Sequence, residues 1–222
     1  MCGRYVLASP GELIAGHFGL AGVPVYAPRY NIAPTMDALV VRETPDGGTR
    51  SQRNEAVTLR WGLVPAWAKD AGVGGRMFNA RAESVADKPA FRAAFRRRRC
   101  LVPADGFYEW QPVAGGRKQP WFIRLASGAP LALAGLWEHW RGPDGDAIAT
   151  FTIVTTAANE AMRALHDRMP VLVAPADHDE WLSSPNPSAL FAPWAGEPFE
   201  LRPVGTRVNS ARNDSPDLLE RV

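Results

Sequence analysis

The sequence is poor in cysteine and in long apolar runs, and both shortages limit what the protein can be. Its 222 residues include only Cys2 and Cys100, whose spacing fits no zinc motif and which allow at most one disulfide. We therefore predict reduced thiols, no metal and no cofactor. Residues 1–10 lack the basic start and apolar run of a secretory signal, and no other stretch is apolar enough to span a membrane. These absences predict a soluble, cytoplasmic protein.

The chain also lacks a marked charge imbalance. It has 25 basic and 23 acidic residues and a net charge of +2. A nucleic-acid partner would therefore need a local basic patch, because the overall composition does not indicate one. The 46% hydrophobic content is enough for a large core, and we predict one domain over residues 1–222.

Short β-branched and aromatic runs, separated by Gly, Pro and Asp turns, dominate the centre of the chain. Their short connections favour antiparallel pairing, because parallel pairing needs a long crossover. The predicted fold class is α+β, a single domain with a curved or barrel-like, mainly antiparallel β core flanked by helices. The predicted central strands cover residues 100–103, 106–111, 120–125, 131–137 and 147–155.

Polar residues mark the starts of four predicted helices. Ser9, with Glu12 three positions later, has the capping-box pattern for a helix over residues 10–18. The Pro-rich stretch 184–198 predicts an irregular surface segment. The other three predicted helices begin after Asp87, Thr156 and Asp177 and cover residues 88–98, residues 157–165 and a short segment through Trp181.

Cys2 is the most informative residue because a small second residue ordinarily allows removal of the initiator methionine. Without Met1, Cys2 would carry a free amine and a thiol, which together form a 1,2-aminothiol. An aldehyde reacts with such a group to give an imine, and the sulfur then closes a five-membered thiazolidine ring intramolecularly. The reference pKa of an α-amine, about 7.7–8.0, leaves part of it neutral at physiological pH. From position alone, an inert buried cysteine is the commoner outcome.

Seven groups of residues, in order along the chain, give Cys2 a context. In this order and composition they resemble the SOS response-associated peptidase family of abasic-site processing proteins. The resemblance extends over residues 2–214. The groups are MCGRY (1–5), RYNIAPT (29–35), WGLVP (61–65), NARAE (79–83), CLVPADGFYEW (100–110), TTAAN (155–159) with HDRMP (166–170), and the closing VN (208–209) and ND (213–214).

The resemblance implies a sensor and processor of abasic sites in single-stranded DNA that acts in the SOS response to DNA damage. It implies a covalent thiazolidine link to DNA through Cys2 and an autoproteolytic, peptidase-like removal of Met1. It is also compatible with a lyase activity. An abasic sugar rests mostly as a closed hemiacetal, so protons must move to open it and to expel water. Glu109, among aromatic neighbours, and His166, at a helix end, are the candidates for this transfer. By the resemblance, Asn79 completes the reactive pocket.

Arg4 is a predicted phosphate ligand, and the resemblance implies that Arg81 holds a flanking phosphate. In extended segments Arg4 shares a face with Cys2, and Arg81 shares one with Asn79. A guanidinium group suits bidentate phosphate binding. Structural ion pairs are the alternative for both arginines, and a lone strand glutamate such as Glu109 is more often a solvated surface residue.

The remaining predicted DNA contacts follow from the resemblance. Asn31, Pro34 and Trp67 match DNA-contacting loops of the family, where Trp67 would stack on bases. Ala68 stands where relatives carry a second aromatic residue, which predicts weaker recognition of duplex junctions. The run 96–99 is compatible both with a DNA patch and with cations at a helix C-terminus.

Two other functions fit the same residues. Cys2, His166 and Asn79 could form the Cys–His–Asn set of an N-terminal-nucleophile cysteine peptidase or amidohydrolase acting in trans. A noncovalent single-strand binder with an incidental cysteine is the third reading. The arginines favour DNA, because a neutral amide substrate has no evident use for phosphate ligands. We expect a monomer that joins the nucleoid when it is bound to DNA.

Overall fold

The computed structural model describes residues 2–44 and 53–222; Met1, whose removal the sequence predicts, lies outside this part of the chain. The described part contains twelve strands and four α-helices, with short 3-10 segments among them. The strands are β1 (Tyr5–Leu7), β2 (Arg29–Ile32), β3 (Asp37–Glu43), β4 (Asn54–Trp61), β5 (Asn79–Arg81), β6 (Arg99–Ala104), β7 (Gly106–Pro112), β8 (Lys118–Leu125), β9 (Leu131–Arg141), β10 (Ala147–Ala157), β11 (Arg168–Pro170) and β12 (Phe199–Pro203), and the helices are α1 (Gly11–Phe18), α2 (Arg92–Arg97), α3 (Glu160–Arg163) and α4 (His178–Ser183).

A closed ring of strands forms the centre of the molecule. Its order is β10-β4-β3-β6-β9, and β9 returns to pair with β10. The ring is antiparallel except where β10 runs parallel to β4, with Phe151 opposite Trp61; β5 also pairs with β10 in parallel. The predicted α+β fold with a barrel-like, mainly antiparallel core is confirmed. Closure removes the free edges that an open sheet would expose.

A second, antiparallel sheet places the N-terminus beside the barrel. Its strand order is β12-β8-β7-β1-β2. Tyr5 of β1 lies opposite Phe107 of β7, and the Tyr108 backbone N–H donates to the Arg4 carbonyl at 2.9 Å. This bond continues the pairing beyond the start of β1, so the N-terminal residues run along β7 toward Glu109.

Trp61 anchors the core where the two sheets meet. Its side chain is fully buried, it stacks on Phe151 with centroids 6.2 Å apart, and it meets the Tyr5 ring edge-on at 5.2 Å. The indole N–H donates to the Phe78 carbonyl at 2.8 Å. A buried aromatic ring contributes a large apolar area while its one polar group is satisfied, so Trp61 fixes the N-terminal segment relative to the barrel.

The five predicted central strands are confirmed as β6 to β10, and the first predicted helix is confirmed as α1, but its predicted cap is wrong. Pro10 occupies the cap position of α1, and no side chain caps the helix. The Ser9 backbone N–H instead donates to Asp105 Oδ2 at 2.9 Å, which also accepts from the Ala8 N–H. A carboxylate from the β6–β7 connection thus holds the segment that the capping box would have used.

The predicted start of α3 is also wrong. Thr156 belongs to β10, which continues through Ala157 because its end pairs with β11. The cap is Asn159, whose Oδ1 accepts from the Met162 N–H at 3.1 Å. Of the other two helices, α2 begins five residues beyond Asp87, later than predicted, whereas α4 begins directly after Asp177 as predicted. Among the residues that the structure describes, no helix has the length and apolarity needed to cross a membrane.

Candidate functional site

The site forms where the N-terminal segment crosses β5 and β7. Cys2 is fully buried, and Glu109 of β7 is only 2% exposed. Asn79, the first residue of β5, donates its amide Nδ2 to the Cys2 carbonyl at 2.7 Å. The structure therefore brings together three of the four predicted catalytic residues, although they come from distant parts of the chain.

Burial controls the charge of this site. It raises the pKa of the Cys2 thiol, and the nearby Glu109 carboxylate raises it further. Burial likewise raises the pKa of Glu109, against which positive charge, including that on His166, acts in the opposite direction. The thiol is therefore protonated at neutral pH, and Glu109 is an acid whose proton is held more tightly than on the surface. Such a pair is suited to exchanging a proton during a reaction.

His166 is the fourth predicted catalytic residue, and its charge acts on Glu109. It follows α3, and about 30% of its side chain is exposed. The Arg168 backbone N–H donates to His166 Nδ1 at 2.9 Å, while Asp167 Oδ1 lies 2.8 Å from the same nitrogen. Accepting from the amide requires a bare Nδ1, whereas donating to the carboxylate requires a protonated one. The two contacts thus require different hydrogen positions at Nδ1 and do not form at the same time.

The exposed end of β5 carries positive charge. Arg81 is exposed, and within the described residues no side chain or carbonyl forms a hydrogen bond or ion pair with its guanidinium. Arg168 lies nearby and donates both terminal nitrogens to the Glu83 carboxylate, at 2.5 and 2.9 Å. These bonds lower the pKa of Glu83. No role was predicted for Arg168, although its position in the HDRMP motif could have indicated one.

Arg4 and Asn31 bind the C-terminal segment. Arg4 donates to Asn31 Oδ1 at 3.2 Å and to the Val208 carbonyl at 2.8 Å, and its guanidinium lies over the Trp110 ring. Asn31 has no exposed surface, and its Nδ2 donates to the carbonyls of Val208, Ser210 and Asn213. Asn31 thus supports Arg4 from inside the protein. A direct DNA contact through Asn31 stays a prediction, and it would require breaking these bonds.

Two loops next to the site present the other predicted DNA contacts. Pro34 is partly buried and precedes Thr35, which adopts a positive φ of 76°. Trp67 is 65% exposed, and the following Ala68 carbonyl accepts from the Trp140 indole at 2.7 Å, which fixes the loop. An exposed, anchored ring of this kind is suited to stacking on a base.

The arginine run 96–99 divides into two parts. Arg98 pairs with Glu138 at 2.6 Å, and the buried Arg99 donates to four backbone carbonyls, those of Phe95, Trp181, Leu182 and Ser184. These two arginines are structural, whereas the first two are exposed on α2. Both cysteines are free thiols. In the part of the chain described, no three His, Cys, Asp or Glu side chains gather as a metal site would require.

Fold and site together define a barrel protein with a buried cysteine close to its N-terminus, next to a basic and aromatic surface. The chain belongs to the SOS response associated peptidase (SRAP) family, whose model matches residues 1–211. It is 40% identical to the abasic site processing protein YoqW of Bacillus subtilis (strain 168), over 99% of both chains. It is 32% identical to the abasic site processing protein HMCES of Gallus gallus, over 87% of this chain and 66% of that protein.

Solved structures agree with this assignment. A protein from Bacteroides thetaiotaomicron superposes with a TM-score of 0.85 over the full length of both chains, and its 22% identity supports the fold alone. A phage-related protein from Bordetella bronchiseptica has a TM-score of 0.71 and 30% identity, and the match covers 91% of this chain and 94% of that one.

Proposed function

We propose that the protein captures the aldehyde of abasic sites in single-stranded DNA through Cys2, after Met1 has been removed. The proposal rests on the surroundings of Cys2. Its carbonyl accepts a hydrogen bond from Asn79, and the charge of the Glu109 carboxylate raises the pKa of its thiol. The names of YoqW and HMCES, abasic site processing proteins, support the same substrate.

The proposed reaction needs no cofactor. The Cys2 amine adds to the open aldehyde of the sugar and gives a carbinolamine, which loses one water to form an imine. The thiol then adds across the C=N bond: a C–S bond forms at the former aldehyde carbon, and the thiol proton ends on nitrogen. Aldehyde and aminothiol thus yield a thiazolidine and one water, with no change in oxidation state.

The buried acid and the histidine divide the proton transfers. Glu109 lies beside Cys2, so it is placed to accept the proton that the Cys2 amine loses when the carbinolamine forms and to return it to the departing hydroxyl. His166, with a quarter or more of its side chain open to solvent, is placed to act on the sugar ring. Asn79 fixes the Cys2 carbonyl and hence the direction of the amine. These roles predict that Glu109→Gln and His166→Ala each slow capture without abolishing DNA binding.

The DNA strand in this proposal runs over the exposed arginine and aromatic side chains. Arg81 is open to a phosphate, Arg4 is held at the N-terminal segment, and Pro34 and Trp67 present flat surfaces for bases. Self-removal of Met1 gives the protein a peptidase-like step, and strand-cleaving lyase activity is compatible with the imine intermediate. We place the protein in the cytoplasm as a monomer, associated with the nucleoid when it binds damaged DNA.

Denaturing electrophoresis with an oligonucleotide containing one abasic site tests this function. The parental protein should give a shifted band that survives denaturation, and Cys2→Ser should give none. Cys100→Ala is the matched control, because it removes the other buried thiol and should crosslink normally. An N-terminal extension that cannot be removed should abolish the band while leaving noncovalent binding intact. Equal crosslinking by the extended protein would contradict the aminothiol reaction.

The same experiment separates the two competing functions. A cysteine peptidase acting in trans through Cys2, His166 and Asn79 would cleave peptide substrates and leave the abasic strand unmodified. A noncovalent binder would retain the strand only under native conditions. Arg81 is exposed and, within the described residues, its guanidinium makes no hydrogen bond or ion pair, which supports the DNA substrate over the neutral amide.

A further inference from the structure

A separate cavity opens beside the site, between four segments that the catalytic proposal does not use. Its volume is about 230 Å³. We call it the glycine pocket. Its walls include Thr35, Arg60, Gly62, Gly74, Gly75 and Ile148.

The size of the glycine pocket restricts its occupant. Sites for drug-sized ligands and cofactors usually have about 300–1,000 Å³, so 230 Å³ suits a smaller body such as one flat ring system. The walls are mostly backbone and aliphatic carbon, with the half-exposed Arg60, paired to Asp37 at 3.5 Å, at the rim. A small, largely apolar cavity with a half-exposed arginine among its lining residues matches a base attached to a phosphate-bearing chain.

Glycine forms the floor of the pocket for a steric reason. A Cβ on Gly62, whose φ is 125°, would lie 2.6 Å from the Gly74 carbonyl oxygen. The two backbones therefore pack directly against each other. Gly75 differs, because a Cβ there would meet only Thr35 Cγ2, at 3.7 Å. A side chain at Gly75 would fit without a clash and would occupy the cavity.

Backbone strain marks the opposite wall. Thr35 is β-branched and has a φ of 76°, a region that such residues rarely adopt. Its backbone N–H donates to the Trp61 carbonyl at 2.7 Å, which holds the conformation in place. Strained residues of this kind concentrate at ligand-binding sites, so Thr35 is a second, independent indication that the pocket has a ligand.

The surroundings of the pocket identify that ligand. Thr35 directly follows Pro34, and Gly62 begins the loop that carries the exposed Trp67. Trp61, also in the wall, contacts the ring of Tyr5, only three residues from Cys2. The glycine pocket therefore lies within the loop cluster that the proposed function gives to the DNA strand.

We propose that the glycine pocket receives one unpaired nucleobase of the strand that carries the abasic site. The inference rests on the proposed function and adds a specific position to it: a flanking nucleotide is unstacked and inserted, while the abasic sugar turns toward Cys2. Because the walls are mostly backbone and aliphatic carbon, the pocket accepts any base by shape and does not read sequence.

Binding to a series of single strands tests the pocket. Each strand carries a tetrahydrofuran residue, an unreactive abasic analogue, at its centre. A second tetrahydrofuran residue replaces one flanking nucleotide, so that one flanking base is missing. Stacked bases contribute about 1–3 kcal/mol each, so at one flanking position removal of the base should weaken binding on the order of tenfold. Losses below about twofold at every position would overturn the proposal.

Pocket-filling variants make the test specific. Gly75→Val, and more mildly Gly75→Ala, should weaken binding to the fully based strand and leave binding to the strand lacking the inserted base unchanged. Gly22→Val is the matched control, because a Cβ at the partly open Gly22 meets nothing within 4 Å. Equal losses by Gly75→Val on both strands would contradict base insertion. Crosslinking of a reactive abasic strand by the parental protein is measured in parallel, and its absence would count against the proposed function, not against the pocket.

Discussion

Replacing Asn31 tests how the protein holds Arg4 beside the reactive cysteine. The amide of Asn31 donates to the carbonyls of Val208, Ser210 and Asn213, at 3.2, 3.0 and 2.8 Å, and its Oδ1 accepts from Arg4. Asn31→Ala removes all four bonds at once. Asn31→Asp keeps the shape and the acceptor for Arg4 but turns a donor into an acceptor that faces three carbonyls.

The magnitude follows from the number of bonds. A buried hydrogen bond contributes a net of about 1 kcal/mol. Of the four bonds that are lost, the one to the Val208 carbonyl counts least, because this carbonyl still accepts a hydrogen bond from Arg4. We therefore expect Asn31→Ala to lower the free energy of unfolding by about 3 kcal/mol. For a chain of this size each kcal/mol shifts Tm by about 2–4 °C, which gives a loss of about 6–12 °C. Asn31→Asp should cost at least as much, because repulsion replaces attraction.

Urea and thermal unfolding, followed by circular dichroism, measure both variants. Asn186→Ala is the control, because Asn186 is exposed and, among the described residues, its side chain accepts hydrogen bonds from nearby Ser188 alone; it should stay within about 0.5 kcal/mol of the parent. Single-strand affinity is measured at a temperature where all proteins are folded, and it should fall for Asn31→Ala because Arg4 loses the acceptor that Asn31→Asp keeps. A stability of Asn31→Asp within 0.5 kcal/mol of the parent would refute the reasoning.

Three further predictions concern charge. Burial and then the charge of His17 lower the pKa of His178 to about 4. The folded state should therefore lose stability, on the order of 2–3 kcal/mol, as pH falls from about 6.5 to about 4. His178→Phe should flatten this dependence of stability on pH, and an unchanged profile would contradict the role of His178. Burial raises the pKa of Glu109, so stability falls as pH rises above the unfolded pKa of about 4.3. Glu109→Gln should therefore unfold at a higher temperature than the parent at pH 7.5 but not below pH 4, and its crosslinking should slow on the order of 10²-fold. Equal melting curves at pH 7.5 would refute the raised pKa of Glu109. Arg81→Ala should reduce the slope of log affinity against log salt concentration for single-strand binding by about one unit, whereas replacement of the exposed Arg117 by alanine should not. Equal slopes for the two variants would contradict a phosphate contact by Arg81.

Local signals in the sequence were sufficient for the central strands. The alternating aromatic and β-branched runs of β6 to β10 are joined by short turns, so each strand could be predicted from its own residues and its nearest neighbour. Closure of the barrel could not be predicted in detail, because it depends on the parallel pairing of β10 with β4, about ninety residues earlier. The predicted cap of α1 was wrong for a similar reason: Asp105 holds Ser9 from 96 residues away, which no local pattern indicates.

The candidate site shows the same division. Its residue types were predicted from the chemistry of an aminothiol and from the family resemblance, but their assembly depends on long-range contacts. Asn79 reaches Cys2 over 77 residues of chain. Spacing alone also gave no sign that Asn31 is buried, because its three carbonyl partners come from a segment near the C-terminus. Arg168 received no role, since only the fold places it near Arg81.

The mass of the intact protein–DNA product tests the central claim most directly. The parental protein is incubated with a short single strand that contains one abasic site, denatured, and analysed by mass spectrometry without a reducing agent. We predict one species whose protein part begins at Cys2 and whose mass equals protein plus oligonucleotide minus one water, with fragmentation placing the DNA on Cys2. A product that retains Met1, a link at another residue, or an equally stable product from Cys2→Ser would contradict thiazolidine capture.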